Sequence, residues 1–308
     1  MSITRNQQNY LVVFNPVPNR KRKRILSRLV TRLREQNLHW QMYPTSEDYS
    51  ANEHYFKQHL QQYTDLIIVG GDGTFNLMVN FLVNTNIKVG LLPAGTGNDF
   101  ARAWYGRKRN NLDQVLDIIL SQDSESIHLG KCEFEQVGNS ESKRSIRYFH
   151  NVLGTGFDSS LAKQLRHNKG WFQGLGYLLA AVRNIPFYRE KSIALASSEV
   201  SETYLNLITA FANSRYFGSG MDIAPDADPK VSSMDVVSVE QYPLMTKLRL
   251  ILLLMLGKHQ GSKQVRYRTI NEPVKIETEG LDLQADGEYI GQSPCVISIE
   301  SQGIWLKR

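Results

Sequence analysis

Residues 66–76 read LIIVGGDGTFN, and this stretch decides the fold of the first part of the chain. Its leading apolar run, rich in β-branched residues, is typical of a strand buried on both faces of a sheet. The glycines that follow turn the chain without a Cβ penalty. From Phe75 to Leu82, apolar residues then recur at the i, i+3, i+4, i+7 spacing of one helix face. The pattern therefore predicts a strand, a glycine turn and a helix.

A glycine turn at a helix N-terminus is suited to binding anions, because unpaired N–H groups and the helix dipole both favour negative charge. Asp72 lies within this turn, and a carboxylate beside phosphates calls for an intervening cation such as Mg²⁺ or an ordered water network. The turn is not a Walker A loop, since no Gly-Lys-Ser/Thr follows. Asn76 stands where the dinucleotide fingerprint has its third glycine. An ordinary β-to-α turn without a ligand stays open as the alternative.

A second turn of the same kind follows at residues 89–102, VGLLPAGTGNDFAR. A strand, a helix and a strand in one sheet make parallel neighbours, so both turns emerge at the carboxyl ends of adjacent strands. Ligands of open α/β sheets bind at that edge. The two turns, each with an acid and a threonine, are expected to face one site. Asn98 or Asp99 is also expected to cap the helix that opens at Phe100.

The motifs GGDGT at 70–74 and PAGTGNDFAR at 93–102 resemble the diacylglycerol kinase catalytic-domain family, which includes soluble bacterial lipid kinases and sphingosine kinases. The first motif is shared with NAD kinases and 6-phosphofructokinases, whereas the second is much more specific to lipid kinases. The resemblance implies transfer of the γ-phosphoryl group of ATP to a lipid hydroxyl, with Mg²⁺ as cofactor. Weaker motifs, among them GTGFD at 154–158, stand in the family's order in the second part of the chain.

Near residue 127 the sequence changes from alternating strand and helix patterns to short β-rich runs, and this change predicts two domains. Residues 1–127 are expected to form an α/β nucleotide-binding domain with a parallel sheet, similar to that of NAD kinases and phosphofructokinases. Residues 128–299 are dominated by short β-rich runs between turn residues, which indicates a mainly antiparallel β-sandwich or a barrel-like sheet. The resemblance implies that this domain takes the lipid substrate. A helical stretch at 244–256 is apolar nearly all round, which fits a helix buried between domains or one that shelters an acyl chain, and core packing is favoured of the two. The tail, from about 300 to 308, is expected to return to the first domain.

Composition limits the class of protein and its partners. A net charge of +6 over 308 residues favours an anionic partner, such as a membrane surface, nucleotide phosphates or nucleic acid. Two cysteines, Cys132 and Cys295, give no disulfide framework and favour a reducing compartment. The N-terminus lacks the apolar core of a signal peptide. The longest apolar run, Leu250 to Leu256, is far shorter than the roughly 20 residues that span a bilayer. We therefore expect a cytoplasmic protein that is peripheral to the membrane.

The resemblance places the nucleotide in the first domain. Asn15 and Thr45 match positions at which the family contacts its nucleotide, although Val17-Pro18-Asn19 does not supply the family's Ser-Gly. The expected nucleotide ligands are Asn15, Thr45, Gly70, Gly71, Asp72, Gly73, Thr74, Asn76, Gly95 and Thr96. The basic run Arg20–Arg24 is open to two interpretations, a solvated helix face or a docking site for anionic lipid head groups. The membrane interpretation is slightly favoured, because the implied substrate lies in a membrane.

The triplet Asp286-Gly287-Glu288 contains the candidate general base. Taken alone, Asp-Gly after a strand predicts a hairpin turn. In the resembling lipid kinases the glutamate of this triplet takes the proton of the lipid hydroxyl, a role that falls here on Glu288. The resemblance further implies that Asp72 holds the catalytic Mg²⁺ or its waters, and that Asp99 supports the network of metal and base.

Two positions depart from the family's pattern. His128 stands where family members usually have an aspartate, and histidine does not coordinate Mg²⁺ as an aspartate does. The Asp-Gly-x-Leu-Asp segment that holds a structural Mg²⁺ in bacterial members reads VSSMD at 231–235. We therefore expect that structural metal site to be absent or relocated.

These departures keep a second function class open, a catalytically weak or inactive relative that binds nucleotide or lipid in a regulatory role. The motif at 93–102 argues against an NAD kinase. No recognised motif supports a nucleic-acid binder, so nucleic acid is not expected as a partner. The expected partner is a lipid substrate at an anionic membrane surface, and assembly as a homodimer stays open.

Overall fold

The structure is a computed structural model, and it describes residues 8–137, 142–165, 175–198, 201–255 and 257–308. The chain forms two compact units, one of the residues up to Ile127 together with Gln302–Arg308, the other of His128–Ser301. The first is an α/β unit with a parallel sheet and the second is mainly antiparallel β, which confirms the predicted fold class. None of the described helices is long and apolar enough to cross a bilayer.

The first unit alternates strands and helices along the chain. Its elements are β1 (Asn9–Phe14), α1 (Arg20–Glu35), β2 (His39–Pro44), α2 (Tyr49–His59), β3 (Asp65–Gly70), α3 (Asp72–Leu82), β4 (Lys88–Pro93), α4 (Asp99–Tyr105) and α5 (Leu112–Ile119). The strands lie in the order β2-β1-β3-β4, and every pair is parallel. Trp305 and Leu306, near the end of the chain, pair in parallel with β4 and extend this sheet.

The stretch at 66–76 folds as its pattern predicts. Every residue of β3 is buried, because helices cover both faces of a parallel sheet and apolar side chains are favourable on each. The apolar stripe of α3 is buried along its whole length: Phe75, Met78, Val79 and Leu82. The glycine turn between them is therefore held between two rigid elements.

The second unit is built mainly from antiparallel strands. Its elements are β5 (Ser124–Val137), β6 (Ser142–Phe149), β7 (Val152–Gly156), α6 (Phe157–Leu165), α7 (Leu175–Asn184), β8 (Lys191–Ala196), β9 (Ser201–Ala212), β10 (Tyr216–Phe217), β11 (Met221–Asp222), β12 (Met234–Glu240), α8 (Leu244–Met255), β13 (Val265–Ile270), β14 (Val274–Ile276), β15 (Asp282–Ala285), β16 (Glu288–Gln292) and β17 (Cys295–Lys307). The first residues of β5, 124–127, and the last residues of β17, 302–307, belong to the first unit. The main path of pairing is β16-β15-β7-β9-β8-β14-β17, with β12 between β9 and β13.

Two apolar clusters form the core of the second unit. One is made by strands and contains Phe149, Phe211 and Leu283. The other packs α6, α7 and α8 against strand residues such as Leu207 and Val237. The sequence does not predict α6, because polar side chains are buried in its first turn beside Phe157, which obscures the helical period.

Candidate active site

The two glycine turns of the first unit touch each other, as expected from parallel neighbouring strands. Gly70 pairs with Pro93 in the sheet, and the N–H of Ala94 donates to the carbonyl of Gly70 at 2.8 Å. A Cβ on Gly95 would lie 2.5 Å from the Cα of Gly71, and one on Gly71 would lie 2.9 Å from the Cα of Gly95. Both distances are shorter than real Cβ contacts, so the close approach of the two backbones requires glycine at both positions.

Asp72 joins the first turn to the second. Its Oδ1 accepts a hydrogen bond from the backbone N–H of Phe100, at 3.1 Å, in the first turn of α4. The rings of Phe75 and Phe100 pack beneath this contact with centroids 4.8 Å apart. No hydrogen bond from a described residue reaches the second oxygen of Asp72, which belongs to a half-buried side chain. One carboxylate oxygen therefore braces the site while the other is free to meet Mg²⁺ or its water, so the residue fits the implied metal.

The first turn also presents backbone donors. Asp72 and Gly73 begin α3, and their N–H groups donate to no acceptor among the described residues, whereas the N–H groups of Thr74 and Phe75 donate to the carbonyl of Gly71. Gly73 is exposed, and a methyl group built on it would meet no atom within 4 Å. The donors, the helix dipole and the open approach at Gly73 suit an anionic phosphate.

The second turn is braced by Asn98. This residue has positive φ (52°) and precedes α4, and its side chain accepts from the N–H of Gly95 at 2.9 Å and donates to the carbonyl of Gly95 at 2.8 Å. Asn98 is the N-cap residue of α4, as expected, but its side-chain amide is engaged within the turn and makes no capping hydrogen bond. Asp72 accepts the N–H of Phe100 instead. Thr96 is exposed at the tip of the turn and Asp99 is buried.

The remaining nucleotide candidates follow the first strands or lie inside α3. Asn15 follows β1, and its Oδ1 accepts from the N–H of Val17 at 2.9 Å. Thr45 follows β2 and its N–H donates to the carbonyl of Phe14 at 2.8 Å. Asn76 is fully buried, and both polar atoms of its amide lack a hydrogen bond to any described residue. Because an unpaired buried amide costs free energy, Asn76 is the candidate that most needs a ligand or a water.

Part of the basic run is used inside the first unit. Arg22 donates through Nη1 to the carbonyls of Asn15 and Val17, at 2.8 and 2.5 Å. Further along α1, Arg28 and Arg32 form ion pairs with α5. These arginines help to hold the unit together, while Arg20, Lys21, Lys23 and Arg24 of the basic run are exposed.

In the second unit, Asp286 and Gly287 form the predicted hairpin turn between β15 and β16, with φ of 50° and 87°. The buried carboxylate of Asp286 has a further role that the sequence does not predict. It accepts hydrogen bonds from the backbone N–H groups of residues 150, 151 and 152, at 2.9, 2.9 and 3.0 Å. It also lies 2.7 Å from Nδ1 of the buried His150. Burial raises the pKa of Asp286, but the charge of His150 and these hydrogen bonds outweigh it and lower the pKa below its usual value.

Gln284 ties the same hairpin to the start of α6. Its Oε1 accepts from the N–H of Gly287 at 2.7 Å, and its Nε2 donates to Asp158 Oδ2 at 3.0 Å. Burial of Asp158 raises the pKa of its carboxyl to about 6, against an opposing effect of the Gln284 hydrogen bond. The turn that carries Glu288 is thus fixed from both sides by buried polar groups.

Glu288 is the first residue of β16 and its side chain is 49% exposed. Its Oε2 lies 3.0 Å from Nη2 of Arg147, whose side chain is mostly buried. The arginine orients the carboxylate and leaves it accessible to a partner. Its role as the base stays a prediction.

The two positions that depart from the family's pattern have ordinary structural contacts. The backbone N–H of His128 donates to the carbonyl of Pro229 at 2.7 Å, and its carbonyl accepts from Asn213 Nδ2 at 3.1 Å. Val231 is exposed, and Asp235 accepts a hydrogen bond from Thr269 at 2.8 Å. Among the residues that the structure describes, no group of at least three His, Cys, Asp or Glu side chains is placed to hold a metal ion.

Asp158 predicts a pH dependence of stability. Its pKa is about 6 in the folded protein and 3.8 in the reference state, so the stability it contributes is full below pH 3.8 and is lost as the pH rises through 6. At pH 7 the difference costs about 3 kcal/mol, at about 1.4 kcal/mol per pKa unit. Asp158→Asn is therefore expected to raise the free energy of unfolding at pH 7.5 and to change it little at pH 4. Urea denaturation at both pH values measures this, and an equal effect at the two would contradict it.

Comparisons with known proteins agree with this architecture. Residues 9–132 match the diacylglycerol kinase catalytic domain, and residues 151–306 match the YegS C-terminal NAD kinase beta sandwich-like domain. A diacylglycerol kinase of Mycobacterium tuberculosis is 30% identical over 76% of this chain and 74% of its own length. A diacylglycerol kinase of Bacillus subtilis is 24% identical over 92% of this chain and 90% of its own.

Solved structures share the fold at low sequence identity. The crystal structure of a diacylglycerol kinase from Bacillus anthracis superposes with a TM-score of 0.66 and 14% identity, covering 97% of this chain and 96% of that one. The crystal structure of yeast NADH kinase complexed with NADH has a TM-score of 0.54 and 12% identity, over 98% of this chain and 84% of that one. The sequence matches, which span both parts of the chain, confirm the resemblance drawn from the two glycine motifs: the chain belongs to the diacylglycerol kinase family of lipid kinases.

Proposed function

We propose that this protein transfers the γ-phosphoryl group of ATP to the hydroxyl of diacylglycerol or a related lipid alcohol. The observation that carries the proposal is the pair of glycine turns, which meet at the backbone, share the carboxylate of Asp72 and present free N–H groups at the start of α3. Family membership supplies the lipid as the class of acceptor. The lipid is met at a membrane surface to which the protein binds peripherally.

The residues divide the work of phosphoryl transfer. The N–H groups of Asp72 and Gly73 hold phosphate oxygens, and Asn76 offers its unpaired amide to the nucleotide. Mg²⁺, when bound at Asp72, neutralises charge on the phosphates. The carboxylate of Glu288 takes the proton of the lipid hydroxyl while the hydroxyl oxygen forms a bond to the γ-phosphorus. The bond between the γ-phosphorus and the oxygen that bridges to the β-phosphate breaks, and ADP leaves. Arg147 and Asp286 keep that carboxylate and its turn in place.

The alternative, an inactive relative that binds nucleotide or lipid, is motivated by His128 and Val231. Incubation of the purified protein with [γ-³²P]ATP, Mg²⁺ and mixed micelles separates the two, with diacylglycerol, monoacylglycerol, ceramide and sphingosine tested one at a time. Label in a lipid product, abolished by EDTA, is the expected result. Bound ATP without label in any lipid would overturn the kinase proposal and support the regulatory one.

Gly73→Ala tests the phosphate site without disturbing the fold. A methyl group at residue 73 would meet no protein atom within 4 Å, and alanine is favoured over glycine in a helix by up to about 1 kcal/mol, so the melting temperature should hold or rise. The methyl group would displace a phosphate oxygen from its backbone donors. Loss of one such charge-assisted hydrogen bond is worth about 1.5–3 kcal/mol, so ATP affinity measured by calorimetry should fall about 10- to 100-fold.

Gly95→Ala is the contrasting variant. Its Cβ would lie 2.5 Å from the Cα of Gly71, so it should lower stability by about 1–3 kcal/mol through overpacking. Unchanged ATP affinity in a stable Gly73→Ala protein would contradict the proposal that the turn at Gly73 binds the nucleotide phosphates.

A further inference from the structure

Large apolar side chains are exposed on α7 and on the short 3₁₀ turn that follows it. Phe187 is 83% exposed, and Leu179 and Val182 are exposed on one face of α7 at i, i+3 spacing. The residues between them, such as Ala181 and Ile185, are buried in the core. Among the described side chains, burial is thus confined to one side of this segment, and the other side carries exposed apolar residues.

The helix α8 repeats this arrangement. Met245 is 77% exposed, and Arg249 and Leu252 are exposed at i+4 and i+7 from it. Leu250, on the other side, is buried. The favoured interpretation of 244–256, packing in a core, holds for the face of Leu250 and not for the face of Met245 and Leu252. An apolar composition does not show that one side lacks a partner. Residue 256 lies outside the described residues.

A buried ion pair fixes α8 to the segment after α7. Lys247 pairs with Glu190, and both side chains are nearly inaccessible. Tyr188, next to Phe187, packs edge-on against Phe157 at 5.3 Å. These inward contacts fix the positions of α8 and of the segment after α7, and Phe187 and Met245 lie exposed on them. We call Leu179, Val182, Phe187, Met245 and Leu252 the α7–α8 apolar patch.

The charges around this patch have one sign. Arg183, Arg189 and Arg249 are exposed, and none of them has a carboxylate partner among the described residues. Glu190 is the only acidic residue in 175–190 and 244–255, and it is used by Lys247. Apolar side chains set among unpaired arginines are complementary to the surface of an anionic bilayer, where arginine meets head groups and the apolar groups enter the acyl boundary.

We infer that the α7–α8 apolar patch with its three arginines is a docking surface for an anionic lipid bilayer. The inference rests on the proposed function, because a kinase whose acceptor is a membrane lipid must reach the bilayer. The three arginines are exposed and have no carboxylate partner among the described residues, so they are available to an external partner.

A second copy of the chain fits the same surface less well. A two-fold interface places the same patch on both sides, so it would bring two sets of unpaired arginines together. The buried centres of protein interfaces are depleted of such charge. The observations therefore favour the bilayer, and self-association becomes an outcome of the test.

Flotation of the full chain with vesicles tests the inference, with phosphatidylcholine alone compared with phosphatidylcholine containing about a third phosphatidylglycerol. Phe187→Ala/Met245→Ala should lower binding to the anionic vesicles about tenfold or more, since each exposed side chain would lose its insertion. Arg183→Gln/Arg189→Gln/Arg249→Gln should remove the preference for anionic vesicles. Ile146→Ala/Leu205→Ala, two exposed apolar residues elsewhere in the unit, is the matched control and should bind as wild type does.

Two further measurements separate this inference from the proposed function. Phosphorylation of short-chain diacylglycerol in detergent micelles should be equal in all variants, because the micelle delivers the lipid without a bilayer. Loss of vesicle binding in the patch variants would support docking even if no lipid is phosphorylated. Wild-type vesicle binding by Phe187→Ala/Met245→Ala would overturn the inference, as would sedimentation showing that this variant loses self-association instead.

Discussion

Glu288→Gln is expected to lower kcat by about 10²–10⁴-fold, the usual contribution of general-base assistance. Glutamine keeps the size and the hydrogen-bonding shape of the side chain but cannot take the proton of a lipid hydroxyl. The affinity for ATP should stay close to that of wild type, because the nucleotide ligands that we propose belong to the first unit. Initial rates with saturating lipid, together with ATP binding by calorimetry, measure both quantities.

Glu240→Gln is the matched control for this variant. Glu240 is 42% exposed and pairs with Arg266 at 2.9 Å, much as Glu288 is 49% exposed and pairs with Arg147 at 3.0 Å. Both substitutions remove one carboxylate from one partly exposed ion pair, so a general loss of charge or stability would appear in both. Equal turnover in the two variants would withdraw Glu288 from the role of base.

The sequence predicts the frame of the nucleotide site because local patterns encode it. A short apolar run that is rich in β-branched residues and bounded by glycines favours a strand covered on both faces, and the glycines allow close approach to the backbone of the turn. Gly71 and Gly95 illustrate this. Each glycine is part of a local motif that the sequence shows, and the strand–helix–strand connection brings the two turns to one edge of the sheet.

Contacts between distant residues could not be predicted in the same way. Asp72 accepts from Phe100, 28 positions away, and Asp286 accepts from the backbone at 150–152, more than 130 positions away. No local pattern distinguishes these acids from exposed ones, and Asp286-Gly287 is already accounted for as a hairpin. The same limit applies to Arg22. Its sequence context predicts a solvated helix face, but its side chain donates to the carbonyl of Asn15 in the loop before α1.

The ion pair of Lys307 near the end of the chain could not be predicted either, because a charged residue type suggests exposure to solvent. Lys307 and Asp65 have side chains that are 1% and 2% exposed, and Lys307 Nζ lies 2.6 Å from Asp65 Oδ1. Ser121 accepts a second hydrogen bond from Lys307 at 2.7 Å, and Thr64 donates to Asp65 Oδ2 at 2.7 Å. Charged residues at a strand end and a chain terminus are usually solvated, so neither position suggests a buried ion pair.

Lys307→Met is therefore expected to lower the free energy of unfolding of the first unit by about 3–5 kcal/mol. Methionine fills the space of the lysine stem but leaves the carboxylate of Asp65 buried without its cation, and that unpaired charge is the main cost. Urea denaturation of the variant and of the wild type measures this loss.

Two companion variants separate the cost of leaving Asp65 without its cation from the cost of removing any lysine side chain. Lys307→Met/Asp65→Leu removes both charges and should recover most of the lost stability, because apolar replacement of a whole buried ion pair is often neutral. Lys57→Met breaks the exposed pair with Glu53, 2.8 Å apart in α2, and should leave the free energy of unfolding nearly unchanged, because solvent screens an exposed ion pair. If the double variant is as unstable as Lys307→Met alone, the cost lies in packing around residue 307, and the ion pair is not what holds the last strand to the sheet.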